Sequence, residues 1–241
     1  MSADWPTLFK DFFENSCNQK RLGVVGLSQS TRELWLQGEM FYWFREVQRD
    51  LPGMGQVWVN ITAFDESTQD KELKKIRPDM VFRDWDFAKK RWKGGTKMVA
   101  EIKFLGFSYQ PKTIYGGPLK NLPGNYIINP KSVAALEPKP KANSLIHDYC
   151  RLLALNQRMD PKAETYLILV CSKYRDDRKK ASQMIKILES IEFEKKAVWE
   201  VEIGKAAPST APKPHPFYGA VKLWSIRGKP LTGIGKIGRE C

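Results

Sequence analysis

Two short apolar runs, each broken by charge, constrain this chain more than anything else in it. Arg77-Pro78-Asp79-Met80-Val81-Phe82-Arg83 opens on a carboxylate, and Met98-Val99-Ala100-Glu101-Ile102-Lys103-Phe104 carries a Glu and a Lys two residues apart. Successive side chains on a strand point to opposite faces, so Glu101 and Lys103 share a face roughly 6–7 Å apart along the chain. Met98, Ala100, Ile102 and Phe104 line the other face. Charged side chains are seldom fully buried unless they are paired or hold a metal. Two carboxylates and an ammonium on adjacent buried strands therefore predict a divalent-metal site with a lysine beside it, and phosphodiester chemistry needs such a site. Asp79 could instead cap a turn, and Glu101 with Lys103 could be a surface pair on an edge strand. The apolar residues around all three favour burial.

The charge balance points to a partner class. Forty Lys and Arg stand against 27 Asp and Glu, a formal charge of +13. Such an excess concerns partners rather than fold, with nucleic acid ahead of an anionic membrane surface. No apolar run approaches the roughly 20 residues of a spanning helix, so no membrane insertion is expected. The sequence starts without a basic leader or signal-type apolar core, and a cytoplasmic protein is the expectation. Cys17, Cys150, Cys171 and Cys241 are far apart and read as free thiols of a reducing compartment. With only His147 and His215, a histidine-rich nuclease site or Cys/His zinc finger is excluded. A metal would have to be held by carboxylates, which favours Mg²⁺ or Mn²⁺.

Ser30 to Asp50 reads as a helix capped by Ser30 or Thr31, stopped by Leu51-Pro52-Gly53, and apolar almost all round, hence largely buried. Gln56 to Phe64 alternates like a strand, and a charged loop leads on to the Asp79 strand. Residues 85–97 form a basic turn into the Glu101 strand. Residues 106–142, rich in Pro, Gly and Lys, form a long insertion. A helix to about Gln157 follows, then a buried strand over Tyr166 to Ser172, an amphipathic helix over Asp177 to Lys195 and a strand over Val198 to Ile203. We divide the chain into one α/β domain over 1–203 and a Pro-rich linker with a basic extension over 204–241, which holds one more strand at Tyr218 to Ile226. The order of elements implies a central mixed sheet flanked by helices on both sides.

That order, with Pro78-Asp79 and, after a 21-residue spacer, Glu101-Ile102-Lys103, resembles the PD-(D/E)XK nuclease superfamily, the restriction-endonuclease-like fold, over residues 30–172. An acidic residue, any residue and Lys occur in that order six times here. Only the copy at 101–103 lies in an apolar strand, one hairpin after the only Pro-Asp pair. The resemblance implies an αβββαβ core and hydrolysis of nucleic-acid phosphodiesters, DNA rather than RNA. Asp79 and Glu101 would hold Mg²⁺ or Mn²⁺ with the Ile102 carbonyl, and Lys103 would position or help deprotonate the attacking water. Members often add an acidic residue from the first helix. Glu39, mid-helix among apolar neighbours, is preferred here; Glu46 shares its face, and Glu33 points roughly 120° away. A catalytically inactive binding protein or scaffold on the same fold is the competing reading. Two-fold symmetry would suit cutting both strands of a duplex, so a homodimer is an option. Lys89, Lys90, Arg91 and Lys93, interleaved with Trp92, and Lys173 with Arg175 are the candidate nucleic-acid contacts.

Overall fold

A computed structural model of the chain describes residues 3–25, 32–47, 54–63, 76–105, 145–159, 163–172, 195–204 and 219–227. The expected cap at Ser30 or Thr31, the stop at Leu51-Pro52-Gly53, the 106–142 insertion, the 177–195 helix and Lys173 with Arg175 lie outside the described residues.

The chain opens with two helices that the sequence reading did not anticipate. Helix α1 (Trp5–Glu14) starts at Asp4, whose carboxylate accepts from the Thr7 amide and hydroxyl at 3.3 and 2.8 Å. Pro6 in its first turn suits a position where no intrahelical amide is needed. Trp5, Leu8, Phe9, Phe12 and Phe13 recur at helical spacing and are all buried. Asn15 then accepts from the amides of Cys17 and Asn18 at 3.1 and 3.2 Å, beginning α2 (Ser16–Val25).

Helix α3 (Arg32–Tyr42) passes into a π-helical turn at Trp43–Val47. Its burial is one-sided, contrary to expectation. Leu36, Met40 and Phe44 are buried, whereas Leu34 is 70% and Tyr42 58% exposed. Position rather than composition decides which apolar residues a helix hides: 36, 40 and 44 are one turn apart and face the sheet.

The sheet is mixed and six-stranded, so the protein is α/β. Its strands are β1 (Gln56–Val59), β2 (Met80–Asp86), β3 (Arg91–Leu105), β4 (Glu164–Ser172), β5 (Lys195–Ile203) and β6 (Gly219–Ile226), ordered β1-β2-β3-β4-β6-β5. Only β3 and β4 are parallel. Helix α4 (Leu145–Arg158) lies in the connection between them, as parallel neighbours require a crossover. Strand β6 inserts between β4 and β5, which places this part of the C-terminal extension inside the sheet.

Each face of the sheet carries its own core. Leu145, Tyr149 and Leu152 of α4 pack on Val81, Val99, Leu167 and Leu169. Helices α1 and α3 cover the other face, where Phe82 meets Trp5 at 4.6 Å and Phe44 at 5.1 Å between ring centroids. Such edge-to-face pairs contribute about 0.5–1.5 kcal/mol beyond their burial. Among the described residues no helix is long and apolar enough to cross a membrane.

Candidate active site

The site grows from a mismatch in strand length. Strand β2 begins at Met80, opposite Ala100, but β3 continues to Leu105 with β4 on its other side. Beyond residue 100, amides on the β2 side of β3 have lost their strand partner, and an orphaned buried amide needs another acceptor. Two carboxylates supply it. The Ile102 amide donates to Asp79 Oδ2 at 2.7 Å and the Phe104 amide to Glu33 Oε1 at 3.2 Å. A strand residue's N–H and C=O point to the same side, so the Ile102 carbonyl faces the same open corner as Asp79. Gln37 holds the approach to the strand, donating to the Asp79 carbonyl at 2.5 Å.

Glu101 and Lys103 share the face that α4 covers, and both are buried, at 3% and 6% exposure. Helix α4 meets them with Asp148 and Arg151, one turn apart. Lys103 Nζ lies 2.8 Å from Asp148 Oδ2 and 3.7 Å from Glu33 Oε2. Arg151 lies 3.2 Å from Glu101 Oε1 and 3.3 Å from Asp148 Oδ1, and donates to the Arg77 carbonyl at 2.7 Å. Four carboxylates and two cations thus occupy one corner of the sheet.

Burial and crowding move their protonation. Burial raises Asp79 above the ordinary carboxylate range, against the opposing hydrogen bond from Ile102. Glu101 is pushed much further, first by burial and then by the charges of Asp79 and Asp148. The charge of Asp79 is among the causes that raise Glu101, so the two carboxyl groups are near neighbours. Glu33 is raised too, chiefly by burial. For Lys103 burial alone would favour the neutral amine, but Asp148, Glu33 and Asp79 outweigh it and keep the ammonium protonated.

This arrangement fits a divalent cation, although among the described residues no three His, Cys, Asp or Glu side chains form a ready-made cage. Glu101 Oε1 is buried without a hydrogen-bond partner, even with the Arg151 guanidinium close by. Two neighbouring carboxylates, one of them with an unsatisfied lone pair, offer the hard oxygens that Mg²⁺ or Mn²⁺ takes. The Ile102 carbonyl is placed to join them.

The expectation for Glu39 is corrected. Its Oε2 lies 2.8 Å from Arg21, in an ion pair that joins α3 to α2. Glu33 stands about 9 Å nearer the helix start and roughly 120° around it, and it is the acid that reaches Lys103. Asp79, Glu101, Lys103 and Ile102 are brought together as expected. Asp148, Arg151 and Gln37 are additions that sequence reasoning missed. Asp148 had a readable signal: it interrupts the Leu145, Tyr149 and Leu152 stripe, where a carboxylate is costly. Lys89, Lys90, Arg91 and Lys93 are exposed toward the far end of the β2–β3 hairpin, roughly 17 to 25 Å from Asp79 at strand rise. Compared with family models, curated proteins and solved structures, the chain matches none.

Proposed function

We propose that this chain is a metal-dependent nuclease with a restriction-endonuclease-like core, hydrolysing phosphodiesters of nucleic acid and DNA in preference to RNA. One arrangement carries the reading: Asp79, just before β2 and accepting from the Ile102 amide at 2.7 Å, and buried Glu101 of β3 stand in one corner beside the ammonium of Lys103. The succession α3-β1-β2-β3-α4-β4 supports the αβββαβ core, and the +13 charge supports a polyanionic substrate.

Asp79, Glu101 and the Ile102 carbonyl would hold Mg²⁺ or Mn²⁺, which when bound polarises a phosphate oxygen and acidifies a water. Lys103 is kept protonated by its carboxylate neighbours, so it serves as a fixed positive charge rather than as a base. It orients the attacking water and offsets charge on the pentavalent phosphorus. Asp148 and Glu33 hold that ammonium from two sides, and Gln37 fixes the backbone at Asp79. The low-dielectric corner strengthens each of these interactions.

The test is cleavage of labelled linear, circular, branched and single-stranded DNA, and of RNA, with Mg²⁺, Mn²⁺ or EDTA, run beside Lys103→Ala and Asp79→Ala. Metal-dependent cutting that both substitutions abolish is the expected result. Binding without cutting, unaffected by either, would instead leave a nucleic-acid-binding scaffold whose Lys103 is merely an ion-pair partner of Asp148.

A further inference from the structure

The β2–β3 hairpin outruns the sheet. Strand β1 pairs with β2 only as far as Arg83, so residues 84–86 and 91–93 continue as a two-stranded ribbon. A lone ribbon of that length is marginal in water, yet this one is braced at its root. Trp85 and Trp92 meet at 4.9 Å, and Trp58 meets Trp92 at 5.3 Å. The Arg83 guanidinium lies 4.8 Å from the Trp92 ring centroid and donates to the Gly94 carbonyl at 3.3 and 3.2 Å. The register breaks between Phe82 and Asp84, where Gly94 takes a φ of +74°, and an irregularity of this kind re-aims the strands beyond it. At the turn, Asp86 Oδ1 accepts from the Lys89 amide at 3.0 Å.

A braced arm ends in an unusual tip. Phe87 is 63% exposed, and Lys89, Lys90, Arg91 and Lys93, in the same turn and the strand after it, are exposed as well. The two acids of the arm are engaged, Asp86 in the turn and Asp84 with Lys97 at 2.9 Å. An exposed ring on a tip with four exposed cations matches a polyanion that also presents apolar groups. Nucleic acid has both features, and a two-stranded ribbon fits a duplex major groove.

We propose that this arm docks duplex nucleic acid, with Phe87 against base edges in the major groove and Lys89, Lys90, Arg91 and Lys93 on the flanking phosphates. The inference rests on the nuclease reading and deepens it: the arm's tip lies roughly 25 Å from Asp79, so its contacts fall about seven base pairs from the reacting phosphodiester.

The experiment is fluorescence anisotropy of the full chain in EDTA with a duplex of about 20 base pairs, between 50 and 200 mM salt. Phe87→Ser is expected to weaken binding roughly tenfold with the salt slope unchanged, since an apolar contact in the groove, such as Phe on a thymine methyl, releases no counterion. Lys89→Gln, Lys90→Asn, Arg91→Gln and Lys93→Gln together are expected to flatten that slope by about 2 to 4. Asn at position 90 tolerates the left-handed backbone that Lys90 adopts, φ +49°. Unchanged far-ultraviolet dichroism shows that the variants fold. Wild-type affinity and slope in the quadruple variant, or no effect at Phe87, would overturn the arm. So would binding to phosphatidylserine vesicles that these variants lose while duplex binding persists. Cleavage by the wild-type chain with arm variants still binding normally would sink the arm alone, whereas arm-dependent binding with no cleavage under any metal would sink the nuclease reading alone.

Discussion

Lys103 and Asp148 form an ion pair of 2.8 Å between side chains only 7% and 4% exposed. Breaking such a pair from one side strands the other charge in a dry environment, which costs far more than the intact pair contributes. Asp148→Ala should therefore destabilise the protein by about 3–5 kcal/mol. Adding Lys103→Met to Asp148→Leu should recover most of that while removing cleavage. Urea unfolding of the set decides it: a double variant no more stable than Asp148→Ala would mean that the cost comes from packing.

Glu33 and Glu39 offer a paired comparison on one helix. Glu33 accepts from the Phe104 amide and faces Lys103, whereas Glu39 pairs with Arg21. Glu33→Gln should lower cleavage roughly 10- to 100-fold, the usual loss when a group orienting a metal site is changed. Glu39→Gln should leave cleavage unchanged, because partly exposed pairs contribute about 1 kcal/mol at most. Matched initial rates for the two variants separate the helix positions, and the reverse ranking would restore Glu39 to the site.

How far the sequence could be read follows from the same residues. The Asp79 and Glu101 strands were legible because charge inside an apolar strand is costly and hence informative. The choice between Glu33 and Glu39 was not, since both lie on one amphipathic helix. What decides it is that β2 ends early and leaves the Phe104 amide open to the helix start, a tertiary fact. The partnership of Arg151 with Glu101 likewise needs α4 docked on β3. Helix α1 is legible in Asp4, Pro6 and the Trp5 to Phe13 stripe, which are the cap, first-turn proline and apolar spacing of an amphipathic helix. The place of β6 between β4 and β5 follows from pairing alone, and no local pattern encodes it.

The carboxyl shifts set a pH dependence of known sign. Asp79, Glu101 and Glu33 are all raised from ordinary values of 3.8, 4.5 and 4.5. Between its ordinary and raised pKa each group holds more proton when folded than unfolded, so stability falls as pH rises through that window. Metal-free protein should thus lose stability as pH rises above the ordinary carboxylate range, relative to an Asp79→Asn, Glu101→Gln variant that lacks two of these titrating groups. Mg²⁺ should raise the melting temperature more at higher pH, because metal and protons compete for the same carboxylates. Calorimetric scans across pH with and without Mg²⁺ check this, and a Mg²⁺ effect larger at the acid end would contradict it.

Arg151 holds the position of a resident cation. Its guanidinium approaches Glu101 Oε1 at 3.2 Å and is anchored by the Arg77 carbonyl at 2.7 Å, so it offsets the charge that a divalent ion would otherwise neutralise. Removing a positive charge this close to the ligands strengthens their attraction for another. Arg151→Gln, which keeps a donor for the Arg77 carbonyl, should bind Mn²⁺ roughly fivefold more tightly by titration calorimetry or spin resonance. The metal-free variant should be less stable than wild type, since Glu101 then loses the close cation Arg151. Weaker Mn²⁺ binding in Arg151→Gln would mean that the arginine organises the ligands, and the competition argued here would be wrong.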